Sequence, residues 1–421
     1  MERMIPLLGY GLIIGFLFVL SRNRRAVQWR VILWAALLQV GLAVLMLWTP
    51  VGAPFFAGVN TVAVKLLQFT EAGVIFLMGD LVAYSVPPVL KCFLFWVLPT
   101  IIFFSSLMAV LYHLRIMEFV ISGLAWGLRK TLRISAAEAM AATANVFVGH
   151  TEAPLVIRPY ISGLTRSELM AVMVTGFSTM AGGVLAVYAG LLDPYTSDAA
   201  GHLLTASLMN APAALLVAKL LQPETEQPET LGGARFSQVG EGENLVGAAA
   251  RGASEGAKLF INVAAMLLAF IALVALVNAI LSGALGWVGI ERYGPDGRPD
   301  ALQWVVGWIF APLAWLCGIG WDACPEGGRL LGQKLILNEF VAYIDFTRML
   351  GTGETLSGRD SIITIYALCG FANISSIAIQ IGGIGSLAPE QRPQLARFGA
   401  LAMVGGFLAS CLSACVAALF V

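Results

Sequence analysis

The chain has 421 residues, 58% of them hydrophobic and 12% charged, and its 25 basic and 25 acidic side chains cancel. With a mean hydropathy of +0.83, this composition excludes a soluble globular domain, and basic residues confined to short clusters between apolar runs exclude a nucleic-acid-binding face. What is left is an all-α polytopic membrane protein.

Residues 4–20 and 31–48 are each long enough, at about 1.5 Å per residue, to cross most of a hydrocarbon core. The first has no basic region before it and no small-residue cleavage site after it, so it reads as a retained span rather than a signal peptide. Between the two, SRNRRAVQWR carries Arg22, Arg24, Arg25 and Arg30 without an acid. That places the loop in the cytoplasm and the N-terminus outside. Residues 50–80 mix Lys65, Glu71 and Asp80 with apolar residues and are expected to form a helix lying at the interface. The third span, 93–112, then runs inward to a second basic cluster, Arg115, Arg129, Lys130 and Arg133.

Residues 136–160 hold NVFVGHTEAPLVIRPY, a polar, helix-breaking run in apolar surroundings. A carboxylate at bilayer depth costs a few kcal/mol, so Glu152 must face protein, water or a solute. Gly149 and Pro154 break the helix on either side of it, and the segment is expected to enter and leave from the cytoplasm as a re-entrant hairpin. The fourth span, 168–192, is interrupted by GFSTMAGG and ends outside at LDPYTSD; the fifth is 202–221. Residues 223–244, rich in Glu, Pro and Gly, form an exposed connector between two halves.

A long sixth span, 256–285, leads to the external loop ERYGPDGRPDA. Residues 302–350 repeat the hairpin theme, with apolar arms around 321–332 followed by GQKLILNEFVAY, in which Glu339 is embedded. A seventh span, 361–383, is broken by CGFANISS, and 398–421 is the last crossing, which puts the C-terminus outside. The expected architecture is about eight transmembrane helices plus two opposed re-entrant hairpins, related as an inverted repeat.

Two intramembrane carboxylates, each in a broken hairpin and each followed by an interrupted span, point to a transport site between the halves. Packing explains Gly and Pro in spans, and Asn373, Ser375 and Ser376 could each bond across a helix interface, but packing does not explain the joint pattern. An intramembrane enzyme using His150 and Glu152 as acid and base would lack a nucleophile motif, an HExxH or a metal cluster. A passive channel is disfavoured by hairpins that end near the midplane. The six cysteines, Cys92, Cys317, Cys324, Cys369, Cys411 and Cys415, form no CxxC pair and read as small core hydrophobes.

The motifs GHTEAPLVIRPY, TGFSTMAGGVLAVYAG, GQKLILNEFVAY and CGFANISSIAI resemble those of the concentrative nucleoside transporter family, in the family's order, across 136–421. The resemblance implies a sodium-driven nucleoside symporter of the bacterial inner membrane, a homotrimer whose protomers each have a scaffold and an elevator-like transport domain. Proton coupling, known in relatives, stays open as the alternative. It implies no cofactor beyond the coupling ion. The chain would divide into N-terminal spans and interfacial helices, mostly scaffold (1–135), a first core repeat (136–222) and a connector with an amphipathic segment (223–255). A long scaffold span with its external loop (256–301) and a second core repeat (302–421) would follow.

By the family pattern, His150, Thr151, Glu152 and Val184 hold the nucleobase, while Glu339, Asn373 and Ser376 hold the ribose and Phe371 lines the pocket. The same pattern puts sodium on Asn145, Val148, Thr179 and Met180, with side-chain oxygens from the first and third and backbone carbonyls from the others, an all-oxygen set suited to a hard cation. This chain departs from the family in having His150 where Gln is usual, and Thr179 and Gly183 where Ser is usual. A Gln amide donates and accepts on one edge, whereas a neutral imidazole does so only from nitrogens on different sides of the ring.

Overall fold

The computed structural model describes residues 3–78, 94, 98–196, 198–234, 243–287, 289, 300–353, 356 and 358–421. Among the described residues there are helices and turns and no strand. Four helices contact the rest of the chain along one side only: α1 (Met4–Leu20), α2 (Trp29–Ala43, extended by π-helical Val44–Trp48), α3 (Gly52–Met78) and α11 (Leu245–Gly286). They expose large apolar side chains, such as Leu12 and Phe16 on α1 and Ile261, Leu268 and Ile280 on α11. The most apolar stretch of α11 is 12% buried, against 89% for α10 (Ala199–Leu221). A helix apolar all round that its own chain does not cover is solvated by lipid or by another chain.

The core is built from the segments that carry the motifs. The first repeat comprises α6 (Ala136–Val148), the one-turn α7 (Ala153–Val156), α8 (Arg166–Ser178), α9 (Gly182–Leu192) and α10. Two reciprocal capping boxes start its helices: the Ser135 hydroxyl accepts from Glu138 N while Glu138 accepts from Ser135 N, and Thr165 and Glu168 do the same. Lys219, at the end of α10, forms an ion pair with Glu138 and donates to Ser167 Oγ at 2.9 Å. The starts of α6 and α8 and the end of α10 are thereby tied at one level.

The second repeat comprises α12 (Ala301–Cys317), α13 (Cys324–Ile336), α14 (Glu339–Thr352), α15 (Gly358–Leu368), α16 (Ile374–Leu387) and α17 (Arg392–Ala417). α17 packs on α8, α10, α15 and α16, so the two repeats share one interior.

Several sequence expectations shift. The helix of the sixth span starts earlier, at Leu245, because Asn244 caps it by accepting from Gly247 N at 2.8 Å; the amphipathic segment at 245–255 is continuous with it. Residues 321–332 are not the break of the second hairpin. A turn at 318–323 joins α12 to α13, α13 continues to Ile336, and the break falls at Leu337 and Asn338. The described part of the third span is α4 (Pro99–His113), bent by 78° from α5 (Ile116–Leu132) at Arg115, whose φ is 59°.

The α3 helix, expected along the interface, has the length and hydropathy of a crossing helix. Among the described residues six helices qualify as spans by length and composition, or seven if the bent α4–α5 pair counts as one. The seventh span is broken as expected, into α15 and α16 on either side of 369–373. Asp80, Cys92, the start of the third span and the loop at 291–299 lie outside the described residues.

Candidate functional site

Three helix breaks and a turn meet at the centre of the core. Gly149 ends α6 at φ +88°, a conformation that side chains rarely adopt, and a Cβ there would lie 2.9 Å from Ala181 Cβ. The tip of the first hairpin therefore sits directly on the break between α8 and α9. Pro154 then starts the short α7, where its missing N–H leaves no bond unmade. In the second half Gly370, at φ +108°, lies against the carbonyls at the end of α8, within 2.8 Å of Phe177 O for an added Cβ. The break of α15–α16 is thus seated on the break of α8–α9, and Asn210 on α10 holds that junction by donating to Ser178 O at 2.6 Å.

Asn338 and Asn373 cap the helices that follow the breaks in the second half, accepting from Val341 N at 2.9 Å and Ser376 N at 2.9 Å. Glu339 is consequently the first residue of α14, where the helix dipole favours an anion. Its carboxylate accepts from Tyr188 Oη at 3.2 Å and from Asn373 Nδ2 at 3.1 Å. Asn373 Oδ1 also accepts from Ser375 Oγ at 2.7 Å. Tyr188 is fully buried and stacked on Tyr343, with ring centroids 4.2 Å apart. The ring of Phe371 meets that of His150 edge-on at 5.0 Å. Both ring nitrogens of His150 are buried with no hydrogen-bond partner.

All eight side chains assigned to substrate, His150, Thr151, Glu152, Val184, Glu339, Phe371, Asn373 and Ser376, line one cavity of about 150 Å³. The first repeat offers the unpaired imidazole and the Thr151–Glu152 tip. The second offers a buried carboxylate with spare acceptor sites beside an amide and a hydroxyl, the complement of a vicinal diol. A ligand with a polar flat ring and a hydroxylated end would satisfy both, and the mostly apolar remainder of the wall suits the ring's faces.

Sequence reasoning did not include Phe340 and Asn338, or the opposite wall supplied by α4 (Ile101, Phe104, Met108) and α11 (Leu259, Val263, Leu267). The NEF motif held a signal for the first two. Nothing in α4 or α11 marks them, because only packing brings them there.

The four residues assigned to sodium flank the contact between the first hairpin and the α8–α9 break. Asn145 is fully buried; its amide donates to Ala141 O at 3.0 Å and Thr175 Oγ1 at 3.3 Å, which leaves Oδ1 buried without a partner. Thr179 Oγ1 donates to Thr175 O at 2.8 Å and keeps its lone pairs. Val148 and Met180 stand at the breaks, beside the contacts of Gly149 with Ala181 and of Gly182 with the Phe147 carbonyl. An orphaned buried amide oxygen beside two interrupted helices fits an oxygen-ligated cation. Among the described residues no group of three His, Cys, Asp or Glu could hold a metal ion.

The chain matches the family models described as Na+ dependent nucleoside transporter N-terminus over residues 8–81 and C-terminus over residues 202–418, and one described as nucleoside recognition over residues 94–195. It is 43% identical to an uncharacterized transporter of Haemophilus influenzae, covering 100% of this chain and 98% of that protein. It is 39% identical to sodium/nucleoside cotransporter 1 of Rattus norvegicus, covering 99% of this chain and 63% of the rat protein. Its fold is similar to that of CNTnw in an inward-facing substrate-bound state, with TM-score 0.89, 40% identity and coverage of 100% of this chain and 98% of that one. A CNTnw variant in an outward-facing state gives TM-score 0.91, with 41% identity and coverage of 100% and 99%.

Proposed function

The chain belongs to the family of Na+-dependent concentrative nucleoside transporters, multi-pass membrane proteins that are not enzymes, and we propose that it imports uridine and other pyrimidine or purine nucleosides across the bacterial inner membrane by an elevator movement. The observation that carries the reading is the convergence of Glu339, Asn373 and Ser376 with the His150–Glu152 tip in one cavity built from both repeats. In this reading His150, Thr151, Glu152 and Val184 contact the base, Glu339, Asn373 and Ser376 contact the ribose hydroxyls, and Phe371 packs against the nucleoside. Sodium binds through the oxygens of Asn145, Val148, Thr179 and Met180, and so fixes the hairpin tip against the α8–α9 break from which base contacts project. Binding of the ion and of the nucleoside are thereby coupled through one shared tip.

The repeats 136–222 and 302–421 form the moving domain. Residues 1–135 and 256–301, together with the start of α11 at 245–255, form a scaffold that meets two further copies of the chain. The unburied apolar faces of α1 and α11 support lipid or subunit contact there. The Arg22–Arg30 and Arg129–Arg133 clusters support cytoplasmic loops and periplasmic termini. Since the cavity has one wall from α4 and α11 and the other from the repeats, sliding the repeats past those helices would exchange the side to which the site opens.

Uridine uptake into proteoliposomes, with sodium or proton gradients imposed separately and a panel of nucleosides in competition, tests the reading. Concentrative uptake driven by sodium is expected. Uptake driven by protons alone, or equilibration without a gradient, would overturn the coupling.

A further inference from the structure

The two repeats follow the same hairpin-and-break plan, and they differ in what sits near the end of the hairpin's first helix. In the first, the end of α6 lies along the break after α8, and the buried oxygen of Asn145 has no partner. In the second, the end of α13 lies along the break after α15, and the corresponding space is filled. Lys334, two residues before the end of α13, is 0% exposed and donates to Ala367 O at 2.9 Å, Cys369 O at 2.9 Å and Ser410 Oγ at 3.0 Å. Ser410 on α17 spends its own proton on Cys369 O at 2.6 Å or Gly406 O at 3.2 Å, so toward Lys334 it can only accept.

Three acceptors around one nitrogen demand three N–H donors, which an ammonium has and a neutral amine lacks. No carboxylate lies within ion-pair distance of Lys334 among the described residues. The charge is therefore held by two backbone carbonyls freed at a helix break and one hydroxyl, the donor set a hard cation would choose.

We propose that the Lys334 ammonium is a tethered cation occupying the second repeat's counterpart of the sodium position, so that this transporter needs one mobile cation where two symmetric sites would need two. The inference rests on the sodium reading of the first repeat. Lys334 is a positioning residue: its charge holds the break that carries Asn373 and, through Asn373, orients Glu339, without touching the nucleoside. The cytosolic or external sodium concentration cannot empty this position, and half of the symmetric site is permanently in its loaded state.

The test is nucleoside binding and melting temperature of purified Lys334→Ala and Lys334→Met, measured against sodium with choline keeping ionic strength constant. Lys334→Ala opens the cage, and sodium should now be needed twice, so the Hill coefficient for sodium should rise from about one to about two, with melting temperature recovering at high sodium. Lys334→Met fills the cage without charge and should bind weakly at every sodium concentration. The proposal is overturned if Lys334→Met binds as wild type, if the sodium response of Lys334→Ala is no steeper than wild type, or if Lys334→Ala is unfolded in sodium and choline alike. Asn145→Ala in the same assay reports separately on the first-repeat site, since the steepening is read against wild type whatever that variant shows.

Discussion

Glu339→Gln isolates the ribose contact because the surrounding network can survive it. In the wild type the carboxylate has about four acceptor positions, of which Tyr188 and Asn373 use two. A Gln amide can keep accepting from Asn373 Nδ2 through its oxygen, while its nitrogen donates to a Tyr188 hydroxyl that turns to accept. The melting temperature should therefore fall by only a few degrees, equivalent to about 1 kcal/mol. What is lost is the charged acceptor facing the cavity. A hydrogen bond to a charged group contributes about 1.5 to 3 kcal/mol, so uridine should bind about 10- to 150-fold more weakly. Calorimetric titration at saturating sodium measures this. A dideoxyuridine lacking both ribose hydroxyls should lose at least that factor against wild type, since it also loses its contacts to Asn373 and Ser376, and should bind wild type and variant equally, since the Glu339 contact is already gone. Equal penalties in both proteins, or uracil competing as well as uridine, would refute the assignment of Glu339 to ribose.

Asn145→Ala and Thr179→Ala each remove a side-chain oxygen from the ion position and should raise the sodium concentration for half-maximal binding by about three- to tenfold, leaving the saturated nucleoside affinity within about twofold; an unchanged sodium titration in both would move the ion elsewhere. His150→Gln replaces two unpartnered ring nitrogens with an amide and should reorder the competition panel, changing affinity for at least one base by about three- to tenfold without altering the sodium response; an identical ranking would leave His150 a wall residue. Lys219→Met strands Glu138 without its ion pair in a buried setting, a change that costs about 3 to 5 kcal/mol. Denaturant midpoints should show it as a large loss of stability, and a midpoint like that of wild type would mean Glu138 finds another partner.

The sequence by itself determined the class, the helices and most of the breaks. Apolar runs long enough to cross a bilayer leave no choice but helix, because backbone polar groups in hydrocarbon must bond within their own segment. Gly149, Pro154 and the Asn373 cap are local instructions whose effect does not depend on distant partners. The Ser135–Glu138 and Thr165–Glu168 boxes carry a local signal of the same kind, S/T-x-x-E before an apolar run, which the sequence reading did not use. The carboxylates at 152 and 339 announced themselves because a charge at that depth has to be explained.

Only the tertiary structure decided what surrounds them. That Glu339 is met by Tyr188 from the other half, that α4 and α11 close the cavity, and that Lys334 reaches the α15–α16 break rather than a carboxylate all follow from the docking of one repeat on the other. Where the break of the second hairpin falls was decided in the same way. The Gly-rich 321–332 stretch would be expected to interrupt a helix by its own propensity, but there its small residues let α13 lie close against α12, as Gly328 does against the Phe310–Ala311 backbone. A glycine weakens an isolated helix and permits a close helix pair, and the sequence around it is the same in both cases.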